Sequence, residues 1–386
     1  MVDDSDHDDF TFVDIFAGIG GFHLAFERIG GRCVDAVEYD RFAVKTYNEN
    51  HTVDGGPIEV RDINEIEPSS IKDHDVLFAG FPCQPFSLAG VSKKNSLGRG
   101  HGFDDEHQGN LFGALSKVID AKRPAVFVLE NVKHLRAHDR GRTFATIESI
   151  LDKLDYSIDY QVVDARQWVP QMRKRILIVG FDKRLRIDRS FSFDHLYGKG
   201  VPDTPPTLDA VLHKRGRPEP EWDPYAPNGF VKRRYNLSEH LWTYLQEYKE
   251  KHERRGNGFG FGLVGRNDVA RTLSARYHKD GAEILVKRSV GQTPRRLTPR
   301  ECARLMGYPD GFRITVSDTQ AYRQFGNSIV VPMMTSLAWA LRPDIIRFAA
   351  ARVPKRDPAI LVVDDREPKS STAILPVSPQ AVRTNR

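Results

Sequence analysis

Apolar and polar positions alternate in blocks along the first half of the chain. The run F-T-F-V-D-I-F (10–16) is largely apolar and leads into A-G-I-G-G (17–21), after which Phe22, Ala25, Phe26 and Ile29 recur on one helical face. Strand, glycine turn and helix in that order open a doubly wound α/β fold. Residues 34–37 followed by Glu38 read as a second strand ending in an acid. Further buried-strand candidates are 76–79, 125–129, 158–163 and 175–179, with helical patterns between most of them, clearest over 144–154. Strands interleaved with helices predict a largely parallel sheet with ligands at its carboxyl ends.

The regularity stops near Asp188. Up to about Thr298 the chain carries scattered prolines, clustered basic residues and the stretch G-N-G-F-G-F-G (256–262). This pattern predicts a smaller irregular domain over 190–317, beside a first domain of 10–189 that residues 318–342 return to complete. A helix is expected over 300–306, closed by Gly307, and another over 331–341. From Pro343 to the last residue, 386, scattered Pro, Ser and charge predict a partly ordered tail.

Composition narrows the classes. With 40% hydrophobic and 28% charged residues the chain is neither disordered nor fibrous. Its three cysteines, Cys33, Cys83 and Cys302, form no C-x-x-C pair, so a disulfide framework or a cysteine zinc site is not expected, and a reducing cytoplasm fits. The longest apolar stretch, 328–341, is short and broken by Pro332, so no bilayer-spanning helix is expected. The acidic leader, Asp3 to Asp9, lacks the positive charge of an export signal. The net charge of +5 conceals an asymmetry: residues 211–300 hold 19 Lys and Arg against 10 Asp and Glu. A basic segment of this kind is the footprint of a polyanion partner or a plainly solvated surface, and charge alone does not choose between them.

Three places carry chemistry. The turn F-A-G-I-G-G lacks the spacing of a pyrophosphate-binding loop, yet its glycines let a ligand approach the backbone at a helix start. Glu38 stands where an acid accepts from both ribose hydroxyls, and Asp62, after the next loop, is placed to read an adenine amino group. Each acid alone is equally a solvated loop carboxylate. Together with the turn they describe S-adenosylmethionine, a nucleoside with a carboxylate and no phosphate. In F-P-C-Q-P (81–85) two prolines fix a cysteine at a strand end, aimed into the cleft rather than packed as a small hydrophobe. Glu130 likewise ends a strand, where a carboxyl can titrate or bind a ligand. A thiolate, a carboxyl and a methyl-donor pocket solve one problem in particular. Attack of the thiolate on C6 of cytosine, with N3 held by the carboxyl, makes C5 nucleophilic enough to take a methyl group. Methylation of an exocyclic amino group, which typically uses an Asp/Asn-Pro-Pro-aromatic motif, fails on the Phe-Pro-Cys found here.

Six segments in order now match a known family: V-D-I-F-A-G-I-G-G (13–21), G-F-P-C-Q-P-F-S (80–87), E-N-V (130–132), Q-M-R-K-R (171–175), R-L-T-P-R-E-C-A-R-L-M-G-Y-P (296–309) and Q-F-G-N-S (324–328). From about Phe10 to Leu341 the chain resembles the DNA cytosine-C5 methyltransferases. Residues 87–103 and 271–285 most resemble the Dcm-type branch, which modifies a cytosine within CC(A/T)GG. The resemblance implies a Rossmann-like S-adenosylmethionine-dependent domain with a smaller target-recognition domain. It implies Cys83 as nucleophile, Glu130 holding N3 and the amino group, and Arg173 and Arg175 lining the catalytic pocket. Phe16, Gly18, Gly20, Glu38, Asp62, Ile63, Pro82, Leu111 and Asn327 would form the cofactor site, with no metal. Residues 84–107 would be the catalytic loop, with Ser87, Lys93, Lys94 and Arg99 gripping phosphates. In the basic domain, Arg254, Arg255, Arg266, Thr272, Arg276, His278 and Lys279 are candidates for contacting double-stranded DNA, by base edge or by phosphate. Arg300 is expected to be a structural ion-pairing residue of its helix rather than a base reader, and Cys33 and Cys302 to pack as bystanders. Further expectations are a monomer acting on an extruded base and a cognate restriction endonuclease sharing the site without contact. The rivals are a tRNA cytosine-C5 methyltransferase on the same scaffold, disfavoured by the long basic region, and a catalytically silent DNA-binding regulator, disfavoured because the cysteine, acid and turn are all present.

Overall fold

A computed structural model of the protein describes residues 9–82, 111–198, 201–214, 223–256 and 260–352. Cys83, Ser87, Lys93, Lys94 and Arg99 lie outside the described residues, as do the acidic leader and the chain beyond 352.

A six-stranded sheet organises the fold in the order β2-β1-β3-β4-β6-β5. Its strands are β1 (Phe10–Ile15), β2 (Gly31–Val37), β3 (Val76–Gly80), β4 (Val126–Val132), β5 (Tyr156–Asp164) and β6 (Lys174–Asp182). The first four pair in parallel, joined by α1 (Gly21–Glu27), α2 (Arg41–Asn48) and α3 (Leu111–Lys122). Following α4 (Arg142–Lys153), β5 and β6 run antiparallel to each other, and β6 is antiparallel to β4. The parallel expectation fails at this pair for a simple reason. Only a short turn and loop, residues 165–173, join β5 to β6, and a parallel return needs a long crossover. Strand order reverses between β1 and β3, which makes the carboxyl ends of those two strands the binding crevice.

Side chains alternate cleanly across the sheet. Phe12, Val76 and Phe78 point into one apolar layer, shared with α1 and α2, while Val13, Leu77 and Ala79 point into the other, under α3 and α4. The first layer continues into Leu273, Tyr277 and Ile284 of the irregular segment. That segment holds a small sheet of β7 (Leu263–Val264), β8 (Leu285–Val286) and β9 (Arg295–Arg296), with α5 (Glu239–Glu253) beside it. The glycine-aromatic stretch lies next to β7, and its residues 257–259 are not described.

Three helices close the chain: α6 (Pro299–Leu305), α7 (Asp318–Asn327) and α8 (Val331–Ala351). A capping box between Thr298 and Glu301 starts α6. Helix α8 does not stop at Leu341 as its proline suggests. Pro343 forfeits one backbone hydrogen bond, but Leu341, Ile345 and Phe348 are buried around it, and buried Asp344 accepts from the backbone N–H of Ser190 at 2.9 Å. The stretch 318–351 is long and apolar enough to cross a bilayer by composition, yet it is two helices, mostly buried in the fold, and so a core element.

Candidate active site

The crevice opens into a cavity of 1160 Å³. Its floor is the turn after β1, where Phe16 (φ 60°), Gly18 (φ 58°) and Gly20 (φ 78°) take left-handed conformations. A side chain at Gly20 is barred twice, by its φ and by His51, whose Nε2 stands 2.1 Å from where a Cβ would be built. Burial, reinforced by His23, pushes His51 down to about 4, so the ring is neutral and donates from Nε2 to the Ile19 carbonyl at 3.0 Å. Glu38 at the end of β2 clamps the turn. One oxygen accepts from the Gly18 N–H at 2.8 Å and the other from the Asp40 N–H at 2.7 Å. Burial raises its pKa, opposed by those backbone donors. Each oxygen keeps a lone pair for a ligand hydroxyl.

Asp62 and Ile63 line the same end of the cavity, on the loop that follows a bridge between Glu38 and Val60. Asp62 uses Oδ1 to accept from the backbone and side-chain N–H groups of Asn64, each at 2.9 Å. Pro82 at the exit of β3, Leu111 opening α3 and Asn327 ending α7 complete this wall. Tyr39 is among the lining residues that the sequence pattern does not mark. It stands beside Glu38 and is 70% exposed with its ring on the cavity, a shape suited to covering a planar ligand. The signal was an aromatic directly after a strand-end acid.

At the other end stands Glu130. Register places it opposite Gly80 of β3 and puts Arg175 of β6 opposite Val132, one turn of the pleat further on. Arg175 Nε meets Glu130 Oε1 at 2.8 Å, and the second oxygen, Oε2, hangs over Gly80. Burial raises the Glu130 pKa, and Arg175 and then Arg173 oppose it. Asn131 donates to the Phe81 carbonyl at 2.8 Å and so ties the end of β4 to the segment that leads through Pro82 to residue 83.

Arg173 is where structure and expectation part. It is 1% exposed and off the cavity wall, donating to the carbonyls of Leu273 (2.8 Å), Gly326 (3.1 Å) and Ser328 (2.5 Å). Arg173 precedes β6, so strand alternation with Arg175 does not fix its direction, and the carbonyls of Leu273, Gly326 and Ser328 hold it instead. Burial, with Arg175 nearby, lowers its pKa to about 9. Gln171 of the same motif is equally buried, donating to the Leu305 carbonyl at 2.9 Å and accepting from Leu273 N–H at 3.1 Å.

Among the proposed DNA contacts, Thr272 reaches the cavity and donates to the Met172 carbonyl. Arg276 and Lys279 are exposed on the turn after it, and His278 is half-buried against the Ala275 carbonyl. Arg255 is exposed beyond α5, whereas Arg254 pairs with Glu250 and Arg266 with Asp209. Arg300 pairs with Asp223 at 2.6 Å, both wholly buried, as a structural ion pair should. Cys33 and Cys302 are buried and free. Among the described residues no His, Cys, Asp and Glu group is arranged to hold a metal.

Glycine turn, strand-end acid and switch-point cavity define a Rossmann-like α/β class with its ligand site at the strand ends. In fold, the chain is similar to the crystal structure of the S. pombe Dnmt2 methyltransferase, with a TM-score of 0.64 at 18% identity over 86% of this chain and 99% of that one. Residues 10–342 match the family of C-5 cytosine-specific DNA methylases. The chain is 45% identical to the DNA-cytosine methyltransferase of Escherichia coli (strain K12), covering 90% of this chain and 80% of that protein. It is 42% identical to the type II methyltransferase M.DsaV of Dactylococcopsis salina, covering 85% and 84%. The chain belongs to the C-5 cytosine-specific DNA methylase family and is a DNA (cytosine-5-)-methyltransferase.

Proposed function

We propose that the enzyme methylates C5 of a cytosine extruded from a short duplex site, through a transient bond between the sulfur of Cys83 and C6 of the base. The site is CC(A/T)GG on this reading, with CC-N-GG or CCGG as alternatives. The Glu130–Arg175 pair carries the reading: a buried carboxyl of raised pKa, fixed by an arginine, beside the strand end that delivers Pro82 and, next along the chain, Cys83. A protonated Glu130 donates to N3 as the thiolate adds to C6, drawing electrons toward N3 and leaving C5 enamine-like. After C5 has gained the methyl group, loss of its proton and of the thiolate restores the ring.

S-Adenosylmethionine, when bound, supplies the electrophilic methyl group. The cavity suits it: the turn of Phe16, Gly18 and Gly20 offers close backbone approach, and Glu38 keeps lone pairs for two ribose hydroxyls. Asp62 and Ile63 flank the adenine position, Tyr39 covers its face, and Pro82, Leu111 and Asn327 close the wall. Residues 190–317 act as the recognition domain on this reading. Thr272, Arg276, His278, Lys279, Arg254, Arg255 and Arg266 contact the duplex by base edge or by phosphate, and Ser87, Lys93, Lys94 and Arg99 hold phosphates from the loop 84–107. Extruding the base costs a few kcal/mol, which those contacts offset.

A duplex containing 5-fluorocytosine at the target position, incubated with the methyl donor, is expected to give a covalent adduct that mass spectrometry places on the peptide holding Cys83. Cys83→Ser should give none, and Glu130→Gln should form adduct on the order of 10²-fold or more slowly. An intact ternary complex without adduct defeats the covalent route. Methylation of tRNA but not duplex DNA, offered in parallel, replaces the substrate.

A further inference from the structure

Past Glu130 the chain follows the cavity wall to His134 and runs on into an exposed basic ridge. Residues 133–142, K-H-L-R-A-H-D-R-G-R, hold four Lys and Arg against a single acid, Asp139. Two short turns carry them, Lys133–Arg136 and His138–Gly141. The ridge has a fixed shape. Leu135 is buried beneath it, and His138 Nδ1 meets the Thr143 hydroxyl at 2.7 Å. Asp139 (φ 50°), Arg140 (φ 57°) and Gly141 (φ 87°) are left-handed in succession, a conformation that costs free energy at the two non-glycine positions.

The local charges do not cancel. Asp139 is taken by Arg142, and Arg136 lies over the Tyr160 ring at 5.6 Å. Lys133 and Arg140 are both exposed and form no salt bridge among the described residues; Arg140 feels only the Asp139 carboxylate that Arg142 already holds. Lys133 and His134 also line the cavity, so the ridge is continuous with the end that holds Glu130. Like charges gathered on a strained, anchored backbone are unfavourable alone and become favourable against a polyanion.

We infer that Lys133 and Arg140 contact phosphate oxygens of the substrate duplex beside the target nucleotide, as a grip independent of base sequence and separate from the recognition segment. The inference rests on the duplex-DNA reading of the cavity. Contacts of this kind orient the duplex and carry no base information. Each neutralised phosphate steepens the dependence of log K on log salt by about 0.9.

The test is the affinity of the full-length protein for a short duplex, followed by fluorescence anisotropy across a potassium chloride series. The double variant Lys133→Gln/Arg140→Gln is expected to flatten the salt slope by roughly 1.8, equally for duplexes with and without CC(A/T)GG, while the thermal midpoint holds. Lys117→Gln, an exposed charge on α3, serves as the control and should leave the slope in place. Wild-type affinity with an unchanged slope in the double variant overturns this inference alone, as does an equal shift in the control. A wild-type protein with no affinity for duplex DNA overturns the reading beneath it and this inference together.

Discussion

Asp14, in the middle of β1, is wholly buried, and neither carboxylate oxygen makes a hydrogen bond of ordinary geometry. Burial, reinforced by the nearby Glu38 carboxylate and opposed by the His23 backbone N–H, raises its pKa well above the ordinary value. The sign of the linkage follows. The folded protein keeps a proton that the unfolded chain gives up above pH ~3.9. Stability from this group is therefore full below that pH and falls as pH climbs toward the raised folded value. Asp14→Asn keeps the shape and removes the proton. We expect the thermal midpoint of the variant to decline less than that of wild type between pH 4 and pH 8. Parallel curves in a scanning calorimetry series would show that Asp14 does not titrate differently in the two states. At the same scale, Glu38 and Glu130 were legible in the sequence because an acid at a strand's end has few structural uses. Arg173 was not, because a spacing of two residues cannot say which of two arginines meets the cavity and which meets three carbonyls.

Helix α7 shows what an element must give up to fit its neighbour. Gly326 sits in its last turn, and a Cβ there would lie 2.3 Å from the backbone carbon of Ser274. Replacing a helical glycine with alanine ordinarily stabilises by up to ~1 kcal/mol. Here the obstruction is main chain and cannot swing aside, so overpacking of ~1–3 kcal/mol wins. Gly326→Ala should lower the urea midpoint, and a midpoint at or above wild type would mean that the two segments part easily. Elements with strong local signals are legible in the sequence: the apolar runs of β1, β3 and β4, the glycine turn before α1, and the helix α6 closed by Gly307. The reversed β5–β6 pair and the continuation of α8 through Pro343 are not. The first follows from a connection of residues 165–173 that is too short for a parallel return, and the second from Ser190 and Phe181, far along the chain.

Buried ion pairs knit the irregular segment of 190–317 together. Arg300 of α6 is 1% exposed and donates to Asp223 at 2.6 Å and to the Phe312 carbonyl at 2.8 Å. Beside it, Glu301 takes two bonds from Arg295, at 2.7 and 2.8 Å, and one from the His213 backbone at 3.0 Å. Removing one member of such a pair strands a buried charge, at ~3–5 kcal/mol, whereas removing both leaves an apolar contact and can be neutral. Asp223→Ala should therefore destabilise strongly, and Asp223→Leu/Arg300→Leu should recover most of the loss in the same denaturation series. A double variant no better than the single would assign the effect to lost packing. This network was only half legible: the sequence marked Arg300 as paired, but its partner lies 77 positions away.

The return of the chain's last helices has a consequence for biosynthesis. Arg342 of α8 donates to the Ile29 carbonyl at 3.0 Å, and Gln324 of α7 holds Phe42 and Thr46 of α2, so late residues wall the crevice that early residues floor. A nascent polypeptide that has already emerged with its glycine turn, its cysteine and its glutamate still has one side of the crevice missing. Methyl transfer is therefore expected only once translation reaches the closing helices, and ribosomal products cut short before them should be inactive.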